Sequence, residues 1–193
     1  MDSSLPTPKQ VFDKFLEGLP KSGIKQFKEF EPWTKYATEL FRKWGEKLGF
    51  KVYCRKRYGG SGEYERIDVV WKKTTNQSFL DLAMEHENDI STNVLETELQ
   101  KLINFKALIK VLITETTDSE YVEKFLNDVK DKIKKASTAE FPQEQYLIMI
   151  GFPPEDKEPH EPFVQLYGYV IDNVGRLVEK FDSNGICTYN EDR

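Results

Sequence analysis

The amino-acid sequence predicts an α/β fold in which helices flank a central mixed β-sheet. Two stretches with apolar residues at three- and four-residue steps alternate with short runs rich in β-branched and aromatic residues. The run Ala107 to Thr114 carries aliphatic residues on both of its alternating faces, as a strand covered on two sides does. The elements also follow one another as helix, three strands, helix, strand, helix and further strands, an order that belongs to a sandwich around a mixed sheet.

The first helical pattern runs from Lys9 to Leu19 and breaks at Pro20, Ser22 and Gly23, so residues 1–31 read as an N-terminal helical arm and 32–193 as the main domain. Pro32 opens the next helix, whose Trp33, Tyr36, Ala37, Leu40, Phe41, Trp44 and Leu48 share one face, and Gly49 stops it. Phe50 to Tyr58 and Glu65 to Lys73 read as a strand hairpin around Gly59-Gly60-Ser61-Gly62. After the polar turn Thr74 to Gln77, Phe79 to Glu87 is a third strand whose apolar start gives way to acidic residues. Ser91 or Thr92 caps a helix reaching Phe105, with Val94, Leu95, Leu99, Leu102 and Ile103 on its buried side. A helix over Ser119 to Lys135 leads from the strand at Ala107 to the strand Gln145 to Phe152. Beyond the loop Pro153 to Pro162, Phe163 to Ile171 and Leu177 to Phe181 form two extra C-terminal strands joined across Asn173 to Gly175.

The 193 residues carry 28 Lys and Arg against 33 Asp and Glu, a net charge of −5. That balance argues against indiscriminate coating of nucleic acid, whose phosphates are held by Lys and Arg. Basic residues still cluster locally at Lys51, Arg55, Lys56 and Arg57, interleaved with Tyr53 and Tyr58, and read either as a phosphate-contacting edge or as a solvated strand face. No apolar run is long enough to span a bilayer and the N-terminus has no secretion-signal pattern, so a soluble, cytoplasmic protein without membrane partners is expected. Cys54 and Cys187 lack metal-ligand spacing and are expected to stay reduced.

The chemistry concentrates in Arg66-Ile67-Asp68-Val69-Val70-Trp71 and Ala83-Met84-Glu85-His86-Glu87-Asn88. On a strand, Glu85 and Glu87 project from one face, and Asp68 on the preceding paired strand lies beside them. Three converging carboxylates repel unless a hard cation bound through oxygen neutralises them. A Mg²⁺ ion there would polarise a phosphoryl oxygen, ionise water and offset charge on a leaving oxygen, the requirements of phosphodiester hydrolysis. Acidic strand ends that are merely solvated share the same spacing.

Glu39, Gly49-Phe50-Lys51-Val52, the glycine-rich turn, Arg66-Ile67-Asp68-Val69-Val70 and Met84-Glu85-His86-Glu87-Asn88 resemble, in that order, the core of the PD-(D/E)XK nuclease superfamily. The resemblance covers residues from about Trp33 to Thr114. It implies a restriction-endonuclease-like three-layer sandwich with core order αβββαβ. It implies also a Mg²⁺- or Mn²⁺-dependent endonuclease acting on nucleic acid, DNA in the first instance, and a homodimer where both strands are cut. Asp68 matches the metal-binding aspartate, Glu85 the acidic residue of the second half-motif, and Glu39 the acidic residue that some members place on the first core helix. Glu87 stands where lysine is usual, a variation that some restriction endonucleases share, and Ile67 stands where the motif has proline. Lys101 on the following helix is the candidate substitute for the missing lysine; a surface lysine is the other reading of it. The alternative function is a catalytically inactive nuclease-like module that binds nucleic acid or protein.

His86 alternates away from the two glutamates and reads as structural, and His160 as a loop residue. Asn88 reads as a cap or a carboxylate partner. No serine or cysteine elbow supports triad chemistry.

Overall fold

The computed structural model describes residues 4–18, 30–62, 64–74, 77–87, 92–116, 118–136, 142–152 and 165–183. Pro20, Ser22, Gly23, Asn88, Ser91, the loop Pro153 to Pro162 with His160, Phe163 and Cys187 lie outside them.

Helices α1 (Pro8–Gly18) and α2 (Phe30–Lys47) precede the strands β1 (Lys51–Cys54), β2 (Val69–Lys72) and β3 (Leu80–His86). A continuous helical segment follows, made of α3 (Thr92–Val94), a π-helical turn (Leu95–Leu99) and α4 (Gln100–Asn104). Then come β4 (Ala107–Glu115), α5 (Ser119–Ala136), β5 (Gln145–Phe152), β6 (Gln165–Asp172) and β7 (Leu177–Asp182). The seven strands form one open mixed sheet in sequence order. β3, β4 and β5 pair in parallel, and the outer pairs on both sides are antiparallel. Parallel neighbours require crossovers, which the 92–104 segment and α5 supply, while the antiparallel neighbours need only turns.

Strand alternation divides the core in two. Val69, Trp71, Leu82, Met84, Val111 and Met149 face α1 and α2, where they meet Phe12, Phe15, Ala37 and Phe41. Val70, Ala83, Leu112 and Ile148 face the other way, onto Leu95, Leu99 and Leu102 and onto Val122, Phe125 and Val129 of α5. The expected N-terminal arm thus supplies side chains to the first cluster: Phe12 meets Phe181 of β7 at 5.5 Å, and Phe15 meets Phe41 of α2 at 6.3 Å. Trp71, fully buried in β2, is stacked on Phe50 at 5.4 Å and meets Trp44 edge-on at 5.3 Å. α2 approaches it closely at Gly45, where a Cβ would stand 2.6 Å from the indole.

Two strands are shorter than their sequence suggests. β1 ends at Cys54, and Lys56–Tyr58 form a 3₁₀ turn capped by Gly59 at φ 82°. β2 begins only at Val69, because Glu65 and Arg66 occupy left-handed conformations at φ 49° and 68°. Local propensity does not favour that conformation for such residues; the Ile67 N–H donating to the Tyr64 carbonyl at 3.0 Å closes the turn. The expected hairpin is otherwise present, with Lys51 opposite Lys72 and Cys54 opposite Val69. No helix among the described residues is long and apolar enough to cross a membrane.

Candidate functional site

The tight turn over residues 64–67 delivers Asp68 to the sheet one residue before β2. The register Val69 opposite Met84 continues to bring Asp68 beside the acidic end of β3. There Asp68 Oδ2 accepts the backbone N–H of His86 at 3.1 Å, so the side chain extends the strand pairing and is held in place by it. Asp68 and Glu85 are only 4% and 1% exposed. Carboxylates buried to that degree need cations, protons or hydrogen-bond donors.

Both receive cations. Arg55, between β1 and the 3₁₀ turn, sets Nη2 3.4 Å from Asp68 Oδ1. Lys101 of α4 sets Nζ 3.5 Å from Glu85 Oε1 and contacts Glu98 of the π-helical turn directly. These groups line one open cleft of about 350 Å³ together with Thr34, Arg57, Tyr58, His86 and Glu87. Every lining residue comes from elements between α2 and α4.

The electrostatics follow from burial and crowding. Burial raises the Asp68 carboxyl above its ordinary value, with the His86 N–H and the Arg55 guanidinium pulling the other way. Burial, then the Asp68 charge, then a hydrogen bond with Glu98 push Glu85 up to about 10, so one proton sits in the Glu85–Glu98 pair at neutral pH. Glu98 carries the negative charge of that pair. Burial acts to raise it, yet hydrogen bonds with Glu85 and Lys101 hold it below the usual range. Burial likewise works against the Lys101 ammonium, but Glu98 and the charges of Glu85 and Asp68 raise its pKa. Burial lowers His86 to about 4, leaving a neutral imidazole whose Nδ1 lies 3.0 Å from Thr34 Oγ1 of α2.

The sequence-derived residues separate into two groups. Asp68, Glu85, Glu87 and Lys101 line the cleft, as do Arg55 and Arg57 of the basic run. Glu87 lies just past β3, anchored by its N–H to the Ile113 carbonyl at 2.9 Å. Glu39 is not among the lining residues; its carboxylate lies between Lys35 and Lys43, one helical turn away on either side. Lys51 has its ammonium 5.1 Å from the Tyr53 ring centre, and Lys56 is exposed beside Gly62. Glu98 escaped the sequence reading. Its only signal was a position three residues before Lys101, a spacing that ordinary solvent ion pairs share.

The carboxylates that line the cleft, Asp68, Glu85, Glu87 and Glu98, are hard oxygen donors of the kind that suits a divalent cation retaining several waters. Glu85 Oε1 is buried and makes no hydrogen bond among the described residues, its counter-charge being the Lys101 ammonium 3.5 Å away. Among the described residues no group of three or more His, Cys, Asp or Glu side chains is placed to hold a metal ion. Lys101 and Arg55 balance the two buried carboxylates, so a divalent cation would have to compete with them for Glu85 and Asp68. No family model, curated protein or solved structure matches the chain.

Proposed function

We propose that the chain is a Mg²⁺-dependent nuclease of the PD-(D/E)XK type that hydrolyses phosphodiester bonds, in DNA before RNA, and acts in the cytoplasm, as a homodimer where both strands are cut. The observation that carries the reading is the meeting of Asp68, Glu85 and Lys101 with Arg55 and Arg57 in one cleft. The succession α2, β1, β2, β3, the 92–104 helical segment and β4 supports a restriction-endonuclease-like core of order αβββαβ.

Asp68 and Glu85 would hold the ion, with Glu87 at the cleft margin. When bound, Mg²⁺ supplies Lewis acidity at a phosphoryl oxygen and lowers the pKa of a coordinated water. The guanidinium groups of Arg55 and Arg57 suit the phosphate on the substrate side, where bidentate donors fix its orientation. Lys101 contributes what the motif position of Glu87 lacks, an ammonium group near the carboxylates that balances charge gathering on the phosphate. Neutral His86 keeps its side chain toward Thr34 and serves the site through its backbone N–H.

The test is cleavage of plasmid, linear, branched and single-stranded DNA and of RNA with Mg²⁺ or Mn²⁺, wild type against Glu85→Ala and Asp68→Ala. Cleavage lost in both folded variants is the expected result; cleavage unchanged by either removes these residues from the chemistry. A second reading, a non-catalytic nuclease-like binding module, is favoured by the net charge of −5 and by the glutamate at position 87. Nucleic-acid or protein binding by a wild type that cuts nothing and binds no metal would select it.

A further inference from the structure

Beside the cleft, the edge of the sheet carries two facing lysines that pair with no carboxylate among the described residues. Lys51 of β1 stands directly opposite Lys72 of β2 in the antiparallel register, which sets two like charges side by side. Lys72 is only 7% exposed, yet neither ammonium forms an ion pair or a hydrogen bond with a described residue. Buried lysines ordinarily have such a partner. Asp81, next in register on β3, spends its Oδ2 on the Lys73 N–H at 2.6 Å and on Gln77 at 3.1 Å. Each ammonium rests instead over an aromatic ring, Lys51 5.1 Å from the Tyr53 centre and Lys72 5.6 Å from that of Tyr64. The rings are contiguous: Tyr53 and Tyr64 lie 5.6 Å apart, and Tyr64 meets Phe105, just beyond α4, edge-on at 6.3 Å. All three are half-buried, packed on the cluster beneath the 92–104 segment. Along β1 and its extension, Lys51, Tyr53 and Arg55 alternate onto one side of the sheet, and Arg55 is the residue that reaches Asp68 in the cleft. At the usual strand rise the two ends of this row are about 13 Å apart.

We propose that this row is a binding track for an unpaired DNA strand, which runs from the cleft along β1 with bases on Tyr53 and Tyr64 and phosphates at Lys51 and Lys72. The inference rests on the nuclease reading and names its substrate as DNA with a single-stranded segment beside the bond to be cut. Two like charges that face each other are relieved by a ligand carrying a regular series of negative groups, and a phosphate backbone is such a ligand. The rings decide between duplex and single strand. A duplex keeps its base faces stacked inside, whereas an unpaired strand turns them outward, where aromatic side chains interleaved with cations take them up. In the free protein the ammonium groups cover those rings; phosphates would draw them off and open the ring faces to bases.

Fluorescence anisotropy of a labelled oligothymidylate and of a blunt duplex of the same length, with the full chain in EDTA so that nothing is cut, tests the track. Wild type is expected to bind the single strand at least about fivefold more tightly than the duplex. Tyr64→Leu, which keeps an apolar side chain in place, is expected to weaken single-strand binding at least about fivefold and to leave duplex binding unchanged. Lys51→Gln and Lys72→Gln are each expected to lower the slope of log affinity against log salt by about 0.7, a readout that a packing role would not move. Lys135→Gln, exposed at the end of α5, is expected to change neither. Circular dichroism of each variant verifies folding. Equal affinity for single strand and duplex, or wild-type binding and salt slope in the folded Tyr64 and lysine variants, would overturn the inference; Mg²⁺-dependent cleavage lost in Glu85→Ala would still uphold the nuclease reading. A wild type that binds single strands as expected but cuts nothing would leave the track standing and overturn the nuclease reading.

Discussion

Replacing Glu85 by glutamine should stabilise the metal-free protein, by an amount that grows with pH. In the fold the Glu85 carboxyl is raised to about 10 from an ordinary value of 4.5. Below the lower value both the folded and unfolded chains bind the proton, and the group's contribution to folding is at its most favourable. As pH rises the unfolded chain releases the proton while the folded chain retains it, so stability falls continuously until the folded group titrates. At about 1.4 kcal/mol per pH unit, the loss accumulated by pH 7 is about 3 kcal/mol. Glutamine resembles the protonated acid in shape, can still donate to Glu98, and has no proton to lose, so it escapes that cost. For a chain of this length the gain corresponds to roughly 6–12 °C in melting temperature. Thermal unfolding of both proteins from pH 5 to pH 8 in EDTA measures it, with the two curves converging toward pH 5. Saturating Mg²⁺ should then raise the wild type and leave the variant where it was, since ligand binding stabilises only the protein that retains the ligand site. A difference independent of pH, or a variant less stable throughout, would refute the reasoning and show that Lys101 keeps Glu85 ionised in the fold.

Other perturbations read different parts of the molecule. Arg55→Gln should weaken nucleic-acid binding and reduce the slope of log affinity against log salt by about 1, read by fluorescence anisotropy; an unchanged slope would remove Arg55 from the phosphate contacts. Gly45→Ala would drive a methyl group into the Trp71 indole and toward Val52, 2.6 and 2.8 Å away. The overpacking, about 1–3 kcal/mol, exceeds the roughly 0.5–1 kcal/mol that alanine brings to a helix interior, so the urea midpoint should fall. Lys110 is fully buried in β4 with its ammonium on Glu144, the Tyr146 hydroxyl at 3.0 Å and the Ile103 carbonyl at 3.4 Å. Lys110→Ala should cost about 3 kcal/mol or more in chemical denaturation, because Glu144 and Tyr146 lose their common partner.

What the sequence made legible depended on whether a signal was local. The helix around Phe41 and Trp44, the two-sided strand β4 and the acidic end of β3 are written in periodicity, and each lies where that periodicity puts it. The beginning of β2 was not legible, since Ile67, Val69 and Trp71 alternate like a longer strand while Glu65 and Arg66 give no hint of positive φ. Cys54 to Tyr58 was similarly opaque: its β-compatible residues turn into a 3₁₀ segment because the chain must fold back across Cys54 to form the Gly62 bridge. At the site, Asp68 and Glu85 were visible because strand pairing couples them. Glu98 was hidden, because only the tertiary placement of the helical segment distinguishes it from Glu96. Glu39 is the opposite case: a motif position suggested the cleft, and the structure places its carboxylate between Lys35 and Lys43 at four-residue spacing.

The contact between Phe12 and Phe181 bears on how this chain leaves the ribosome. α1 is synthesised long before β7, yet its apolar face is completed by β7 and by Gly168 of β6, whose position against the Phe12 ring leaves no room for a side chain. Until those strands emerge, Phe12 lacks the surface on which it settles, while Phe15 can already meet Phe41 of α2. Docking of the Phe12 end of α1 is therefore a late event in folding, one that waits on β6 and β7.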